Sequence, residues 1–417
     1  MLKIGIFVVI LALATANQIR YDNYKVFKIF PKNEKHVNLL YQLSEYSNEY
    51  SFWHEPSFVN DTVDVMIGPE KLMQFEDLLN SKKIKYEILI ENVQELIDNE
   101  NPQRSKILYA SNFDWESYHT LEEIYAWLDS LSEKYPDNAE VIIGGETHEG
   151  REIKGIKLSF KENNPKVFIE GNIHAREWIT SATVTYIINE LLTSENPDVR
   201  KLAEKNDWYI FPVVNPDGFV YSHNKQRLWR KSRKPYSRFC SGTDLNRNWG
   251  YKWNQGGASP YPCSETYRGS KAFSDNETKS LSEFITSISD NLYAYISFHS
   301  YSQLLLFPYG HSADHLDNYD QLKSIGERTI NALSKRYGTK YVTGNIAETI
   351  YIATGSSMDW VKANYKVPIS YTYELRDKGK YGFILPASQI IPTGEETLDS
   401  LVELFNAADE LGIPNRP

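Results

Sequence analysis

The chain reads as an α/β protein, a mixed sheet with helices on both faces, preceded by a smaller α+β domain. Three observations carry this reading. From Tyr118 onward, short apolar runs of strand type alternate with stretches of helical period, the pattern of a sheet covered on two sides. Ahead of that region, shorter runs follow one another in the order β-α-β-β-α-β, which is a ferredoxin-like sandwich. Between the two lies the polar, basic stretch Asn101-Pro102-Gln103-Arg104-Ser105-Lys106, of the kind that joins domains.

Taken in order, Met1 to Ala16 has Lys3, an apolar run from Ile4 to Ala14 and an Ala14-Thr15-Ala16 end. That is the pattern of a secretory signal peptide, residues 1–16, and it predicts a secreted, extracellular mature protein. The apolar run is too short to span a bilayer, and no later stretch is long enough. The leading domain, residues 17–104, is predicted to hold strands over Tyr24–Phe30, Ser51–His54, Thr62–Ile67 and Lys85–Ile90. Its helices are predicted over His36–Ser44 and Pro69–Leu79, the second with proline in its first turn. A helical connector follows over Val93–Asn99. No cluster of His, Cys or paired carboxylates appears in this domain, so no chemistry is assigned to it. The basic linker after it suits a trypsin-like protease, because nicking concentrates in exposed, poorly packed segments. An inert domain, a cleavable linker and a large domain suggest a zymogen, although an ordinary interdomain linker fits the same residues.

The large domain, residues 105–417, opens with Thr120-Leu121-Glu122-Glu123, a capping box for a helix reaching about Lys134. Ala139–Ile143 and Glu152–Ser159 read as a strand pair, and Lys166–Glu170 as a buried strand feeding a helix over Ile179–Leu192. Further strands are expected over Trp208–Val214, Leu292–Phe298 and Pro368–Glu374, with helices over Asn318–Tyr337 and Gly394–Leu411. The balance of 55 acidic against 45 basic residues, net −10, argues against nucleic acid or an anionic membrane as partner. The two cysteines, Cys240 and Cys263, most simply form one disulfide in an oxidising compartment. A zinc-thiolate site is the alternative for that pair, and it lacks further cysteines. Asn60-Asp61-Thr62 and Asn276-Glu277-Thr278 are glycosylation acceptors, expected on exposed loops.

Chemistry concentrates at three strand ends. The stretch Gly171-Asn172-Ile173-His174-Ala175-Arg176-Glu177-Trp178 places His174 and Glu177 where a strand gives way to a helix. That rim is where open α/β sheets hold their ligands. A histidine and a carboxylate three residues apart can close on one cation, and zinc accepts that pair. His-x-x-Glu also recurs by chance, and alone it leaves a metal-free helix opening as the simpler reading. A second apolar strand ends on His299, and a third, Ile369 to Tyr373, ends on Glu374. Two histidines and one glutamate leave zinc an open position, and a carboxylate on the same rim suits a general base.

With these residues assembled, the chain resembles the secreted zinc metallocarboxypeptidases of the carboxypeptidase A/B type, which are made as procarboxypeptidases. The resemblance runs from about Tyr24 to Leu411 and rests on long motifs: Gly171 to Trp178, Asn215-Pro216-Asp217-Gly218, Leu228-Trp229-Arg230-Lys231, Asp244-Leu245-Asn246-Arg247-Asn248-Trp249, His299-Ser300-Tyr301, Tyr351 to Trp360, Glu374-Leu375-Arg376-Asp377 and Tyr381 to Pro392. It implies a mixed eight-stranded carboxypeptidase-like sheet. It also implies one Zn2+ held by His174, Glu177 and His299, with Glu374 as general base. Arg230 matches the arginine that polarises the scissile carbonyl; without the resemblance it would pass for a surface member of the basic run Arg227 to Lys234. Asn246, Arg247 and Tyr351 match the clamp for the substrate's terminal carboxylate, and Asp244 the carboxylate behind the first zinc histidine. Arg176, Tyr301 and Phe383 fall on positions lining more distant subsites.

The resemblance also locates the side-chain pocket. Met358, before Asp359-Trp360, falls at the pocket floor, where B-type enzymes carry an aspartate for C-terminal Lys or Arg. An apolar, adaptable methionine, with Leu306, Ile346, Ile350 and Ala353 as walls, predicts aromatic or large aliphatic C-terminal residues. The expected partners are peptides or proteins with a free C-terminal carboxylate and an activating trypsin-like protease, with the enzyme a monomer in a digestive lumen. B-type specificity is the alternative, and a non-catalytic peptide-binding homologue a more distant one. Two departures stand out: Ser356 where a second glycine is usual, and one extra residue between Trp360 and Glu374.

Overall fold

The computed structural model describes residues 18–46, 49–102 and 113–413. The expected signal peptide and the linker residues from 103 to 112 lie outside the described residues. The leading domain runs β1 (Lys25–Phe30), α1 (Glu34–Tyr46), β2 (Tyr50–His54), β3 (Val63–Ile67), α2 (Leu72–Ser81) and β4 (Lys85–Ile90). Its four strands pair antiparallel in the order β2-β3-β1-β4. Phe27, Ile29, Val65 and Ile67 point to one face and pack with Phe75 and Leu79 of α2. Their alternate neighbours Val26, Met66 and Trp53 point to the other, against Leu228, Tyr301, Phe383 and Ile384 of the large domain. Both faces of the sheet are therefore covered, which is why all five positions of β3 are buried. The expected start of α2 at Pro69 is corrected. Lys71 N–H closes a turn on the Gly68 carbonyl at 2.9 Å, and the helix begins only at Leu72. Proline there serves the turn, not the helix.

The connector α3 (Val93–Glu100) leads to the large domain. There follow α4 (Leu121–Lys134), β5 (Ala139–Glu146), β6 (Glu152–Leu158), β7 (Lys166–Glu170), α5 (Trp178–Thr193), α6 (Pro197–Glu204), β8 (Asp207–Phe211), α7 (Pro216–Asn224) and α8 (Asn276–Ser287). The chain continues through β9 (Leu292–Ser300), β10 (Leu304–Phe307), α9 (Tyr319–Tyr337), β11 (Val342–Asn345), α10 (Ile346–Thr349), α11 (Ser357–Tyr365), β12 (Ile369–Leu375) and α12 (Ile390–Glu410). Thr120 caps α4 as its sequence predicts, accepting from Glu123 N–H at 3.3 Å while Thr120 N–H donates to Glu123 at 2.7 Å. β8 stops at Phe211, short of the expected Val214, because Pro212 has no N–H to continue the ladder.

The eight strands lie in the order β11-β10-β12-β9-β7-β8-β6-β5. The central neighbours β12, β9, β7 and β8 run parallel, β6 and β5 continue antiparallel beyond β8, and on the other side β10 is antiparallel to β12 and parallel to β11. One face of the sheet packs Val167, Ile169, Ile296 and Tyr373 against α4, α5, α9 and α12. The other packs Phe168, Tyr295 and Leu306 against Leu281 and Ile285 of α8 and Met358 and Val361 of α11. Helices on both faces bury nearly every position of the central strands, which accounts for their apolar runs.

Cys240 and Cys263 form a disulfide with Cα atoms 4.8 Å apart, and no free cysteine remains, so a thiolate metal site is ruled out. Asn60 lies on an exposed turn as expected. Asn276 does not lie on a loop: it is the first residue of α8, and the Thr278 hydroxyl beside it is buried, donating to Asn248 at 2.7 Å. Among the described residues, no helix is long and apolar enough to cross a membrane.

Candidate active site and metal centre

β7, β9 and β12 end side by side, and this register assembles the site. Glu374 pairs with His299 across β12 and β9, two positions beyond the step where Thr372 pairs with Ser297. β7 ends at Glu170, and the chain turns through Asn172, whose φ of 49° is tolerated by asparagine. The Asn172 amide donates to the carbonyls of His174 at 3.2 Å and Glu177 at 3.0 Å and accepts from Ser181 N–H at 3.2 Å. One buried side chain thus shapes the whole turn that presents His174 and Glu177.

His174 Nδ1 lies 2.8 Å from Glu177 Oε1, and His299 Nδ1 lies 3.3 Å from Glu177 Oε2 and 3.2 Å from His174 Nδ1. His174 Nε2 faces Asp244 Oδ1 at 3.0 Å, which holds its proton on that side and leaves the Nδ1 lone pair bare. Glu177 Oε2 is buried and makes no hydrogen bond. Two ring nitrogens facing each other beside an orphaned carboxylate oxygen have too few protons to satisfy one another. A cation satisfies all three, and two nitrogens with one oxygen are donors zinc accepts. Burial opposes ionisation of Glu177, yet His174 and His299 hold its carboxyl well below the usual carboxylate range. Glu374 is pushed well above that range by burial and by the charge of Glu177, with His299 acting the other way.

Asp244 also accepts from Arg230 Nη2 at 2.8 Å and Nε at 3.2 Å, and from Asn246 N–H at 2.9 Å. Burial opposes its charge, but Arg230 and His174 keep its carboxyl far below the ordinary value. Arg230 is thus no surface residue, and neither are Arg227 and Lys231 in the same basic run, which are buried. Leu245–Arg247 form a single 3-10 turn that puts Asn246 and Arg247 on the cleft wall. Asn246 Oδ1 accepts from Ser357 N–H at 3.0 Å, and Arg247 reaches the Tyr351 hydroxyl at 3.4 Å. Arg176 lies 4.1 Å over the Phe383 ring, and Phe383 lies 5.1 Å from the Tyr301 ring, so these three expected subsite residues meet.

Met358 is buried in the same cavity, with Leu306, Ile346, Ile350 and Ala353 around it, and Thr372 donates to its sulfur at 3.5 Å. The Ser356 hydroxyl is occupied in capping α11, accepting from Asp359 N–H at 3.3 Å. Glu374 stands in register with His299 across β12 and β9. Beyond it, Arg376 bonds the buried Glu396 of α12 at 2.7 Å, and Asp377 accepts from Gly379, Tyr381 and Gly382 N–H, which pins the strand end.

Sequence reasoning missed two contributors. Glu170, fully buried at the end of β7, accepts from Ser297 at 2.9 Å and Ser357 at 2.8 Å, linking β9 to the turn beside Asn246. Its only sequence signal is an acid ending an apolar run. Phe52, Trp53, His54 and Glu55 of the leading domain also line the cavity. The Trp53 ring packs tilted against Phe383 with centroids 5.3 Å apart, and the Tyr301 hydroxyl donates to the buried Asp64 at 2.8 Å.

A sheet rim bearing two histidines and a glutamate, set in a cleft with arginines and a second glutamate, defines a metal-dependent hydrolase. Residues 124–400 match the zinc carboxypeptidase family and residues 27–100 the carboxypeptidase activation peptide. The chain belongs to the zinc carboxypeptidase family and carries that family's activation peptide. It is 47% identical over 410 residues to zinc carboxypeptidase A 1 of Anopheles gambiae, covering 98% of this chain and 95% of that one. It is 38% identical over 407 residues to carboxypeptidase A1 of Mus musculus, covering 95% and 96%. The crystal structure of the carboxypeptidase A from Helicoverpa armigera superposes with a TM-score of 0.86 at 28% identity, over 96% of this chain and 100% of that one. Zinc is the cofactor of the family, and His174, Glu177 and His299 form a possible site for it.

Proposed function

We propose that this exopeptidase releases aromatic or large aliphatic C-terminal residues and is secreted as a zymogen activated by trypsin-like cleavage near Arg104 or Lys106. What supports the preference is the apolar floor at Met358, in one cavity with Arg247 and the His174, Glu177 and His299 donors. The terminal carboxylate binds Arg247, whose planar fork suits it, with Asn246 and Tyr351 beside it. The side chain enters the pocket over Met358. Zinc, when bound, supplies Lewis acidity, polarising the scissile carbonyl and acidifying water to a pKa of about 7. Glu374 takes the proton from the attacking water and passes it to the leaving amine as the C–N bond breaks. Arg230, fixed by Asp244, stabilises the negative oxygen of the tetrahedral species; loss of one such donor typically lowers kcat by ~10²–10³. Asp244 holds His174 in the ligating tautomer, and Arg176, Tyr301 and Phe383 contact upstream residues.

In the precursor, the leading domain fills the upstream end of this cleft. The boundaries proposed are a signal peptide over 1–16, an activation domain over 17–104 and a catalytic domain over 105–417. An extracellular, monomeric enzyme acting in a digestive lumen, with Asn60 the better placed glycosylation acceptor, completes the reading. The test is release of Phe, Leu, Lys and Arg from matched peptides by trypsin-treated protein. Phe and Leu are expected to be released faster; faster release of Lys or Arg would overturn the preference.

A further inference from the structure

Asp359 follows the pocket-floor residue directly, yet it does not face the pocket. Its carboxylate is fully buried and accepts the Gly310 N–H at both oxygens, 3.0 and 2.9 Å, and the His311 N–H at 3.3 Å. His311 Nδ1 lies 3.4 Å from the same Oδ2. The Asp359 N–H is itself held by Ser356 Oγ at 3.3 Å, which fixes the turn bearing the carboxylate. No lysine or arginine pairs with Asp359 among the described residues. Its charge is met by peptide N–H groups, and hydrogen bonds to an ionised acceptor are roughly twice as strong as neutral ones.

The segment so held is a wall of the pocket. Gly310 lines the cavity with Ile346 and Ala353, and its carbonyl accepts from Ala353 N–H at 2.8 Å. A Cβ on Gly310 would lie 2.9 Å from the Ala353 oxygen and 3.3 Å from Ile346 Cγ2, so the wall is closed from that side. Gly310 is clasped between Asp359 behind it and Ala353 beside it. The geometry points to Asp359 as a positioning residue that sets the width of the side-chain pocket by fixing the Gly310–His311 backbone. This rests on the reading that the C-terminal side chain enters over Met358. Met358 supplies the surface of the floor, while Asp359, one residue on, supplies the distance to the wall. Its acidity selects nothing, because substrate never meets it.

The test compares peptides ending in Phe and Ala with trypsin-treated wild type, Asp359→Asn and Asp359→Glu, all quantified by zinc content. Asparagine presents an amide to N–H donors and releases the wall. The Phe-over-Ala ratio of kcat/KM should then fall roughly tenfold or more, the scale on which a pocket reads a few methylenes, and mainly through KM. Glutamate keeps the acceptor but drives the wall inward, so Phe should lose more than Ala. A general loss of structure would lower both substrates in proportion; an unchanged ratio in a folded variant overturns the proposal. Failure of both variants to fold overturns it too, by making Asp359 a folding residue. Poor release of Phe by wild type in the same series would instead defeat the specificity reading beneath it.

Discussion

Glu374 and Glu177 are both carboxylates at one sheet rim, and their surroundings drive them in opposite directions. Glu177 stands between two imidazoles and stays ionised, whereas Glu374 is desolvated and repelled by Glu177. That division suits one for a cation and the other for carrying a proton. A Glu374→Gln variant should therefore load zinc as wild type does, read by metal analysis, while kcat falls by ~10²–10⁴, the usual worth of a general base. Retained turnover would refute that role. His299 and Glu374 were legible because each ends an apolar strand at a place where a polar residue has no packing purpose, and His174 and Glu177 because they sit where such a strand gives way to a helix. Arg230, Asp244 and Arg247 come from long loops between α7 and α8, where no periodicity points inward. Their burial depends on partners contributed by distant segments, so only the resemblance singled them out.

At the scale of elements, long segments with a clear period were read correctly, as with β7, β9, β12, α5 and α9. β10 and β11, each four residues, were missed. Leu304–Phe307 is too short for a period, and Val342–Asn345 is half polar because it forms the sheet edge. α8 was missed for a related reason: its first turn carries Glu277, which is buried instead of solvated. Burial, with Asp275 and Asp217 nearby, pushes the Glu277 carboxyl up to about 8. The sign follows directly. The folded state keeps a proton that the unfolded chain releases from about pH 4.5 upward, so Glu277 lowers stability progressively from there to about pH 8 and no further. The slope is roughly 1.4 kcal/mol per pH unit. Thermal unfolding at pH 5 and pH 8.5 should show a smaller drop in Tm for Glu277→Gln than for wild type; equal drops would contradict this.

At the scale of the whole molecule, the leading domain is bound to the cleft through a buried ion pair at the last residue of α3. Arg227 meets Glu100 with Nε–Oε2 at 2.7 Å and Nη2–Oε1 at 2.5 Å, while its other bonds reach the carbonyls of Arg176 and Phe383. Its guanidinium lies 3.6 Å over the Trp178 ring. One arginine therefore ties the activation domain to two residues of the cleft wall. Removing one partner of a buried pair typically costs about 3–5 kcal/mol, because the other charge is stranded. Glu100→Gln should loosen the leading domain, so the uncut precursor should hydrolyse a short Phe-ended peptide faster than wild-type precursor. Equal precursor rates would show that this pair does not hold the domain in place.

The alternation of the longer strands and helices, the two-domain plan, the cysteine pair and the four polar residues at or just beyond the ends of three apolar strands were determined by sequence alone, because each depends on local period or a short motif. The tertiary structure decided what local pattern cannot contain. It set the register that puts Glu374 beside His299, the sharing of Asp244 among His174, Arg230 and Asn246, and the turning of Asp359 away from the pocket. The physical reason is common to all three. A buried charge is stable only where donors from distant segments converge on it, and that convergence exists only once the sheet has formed.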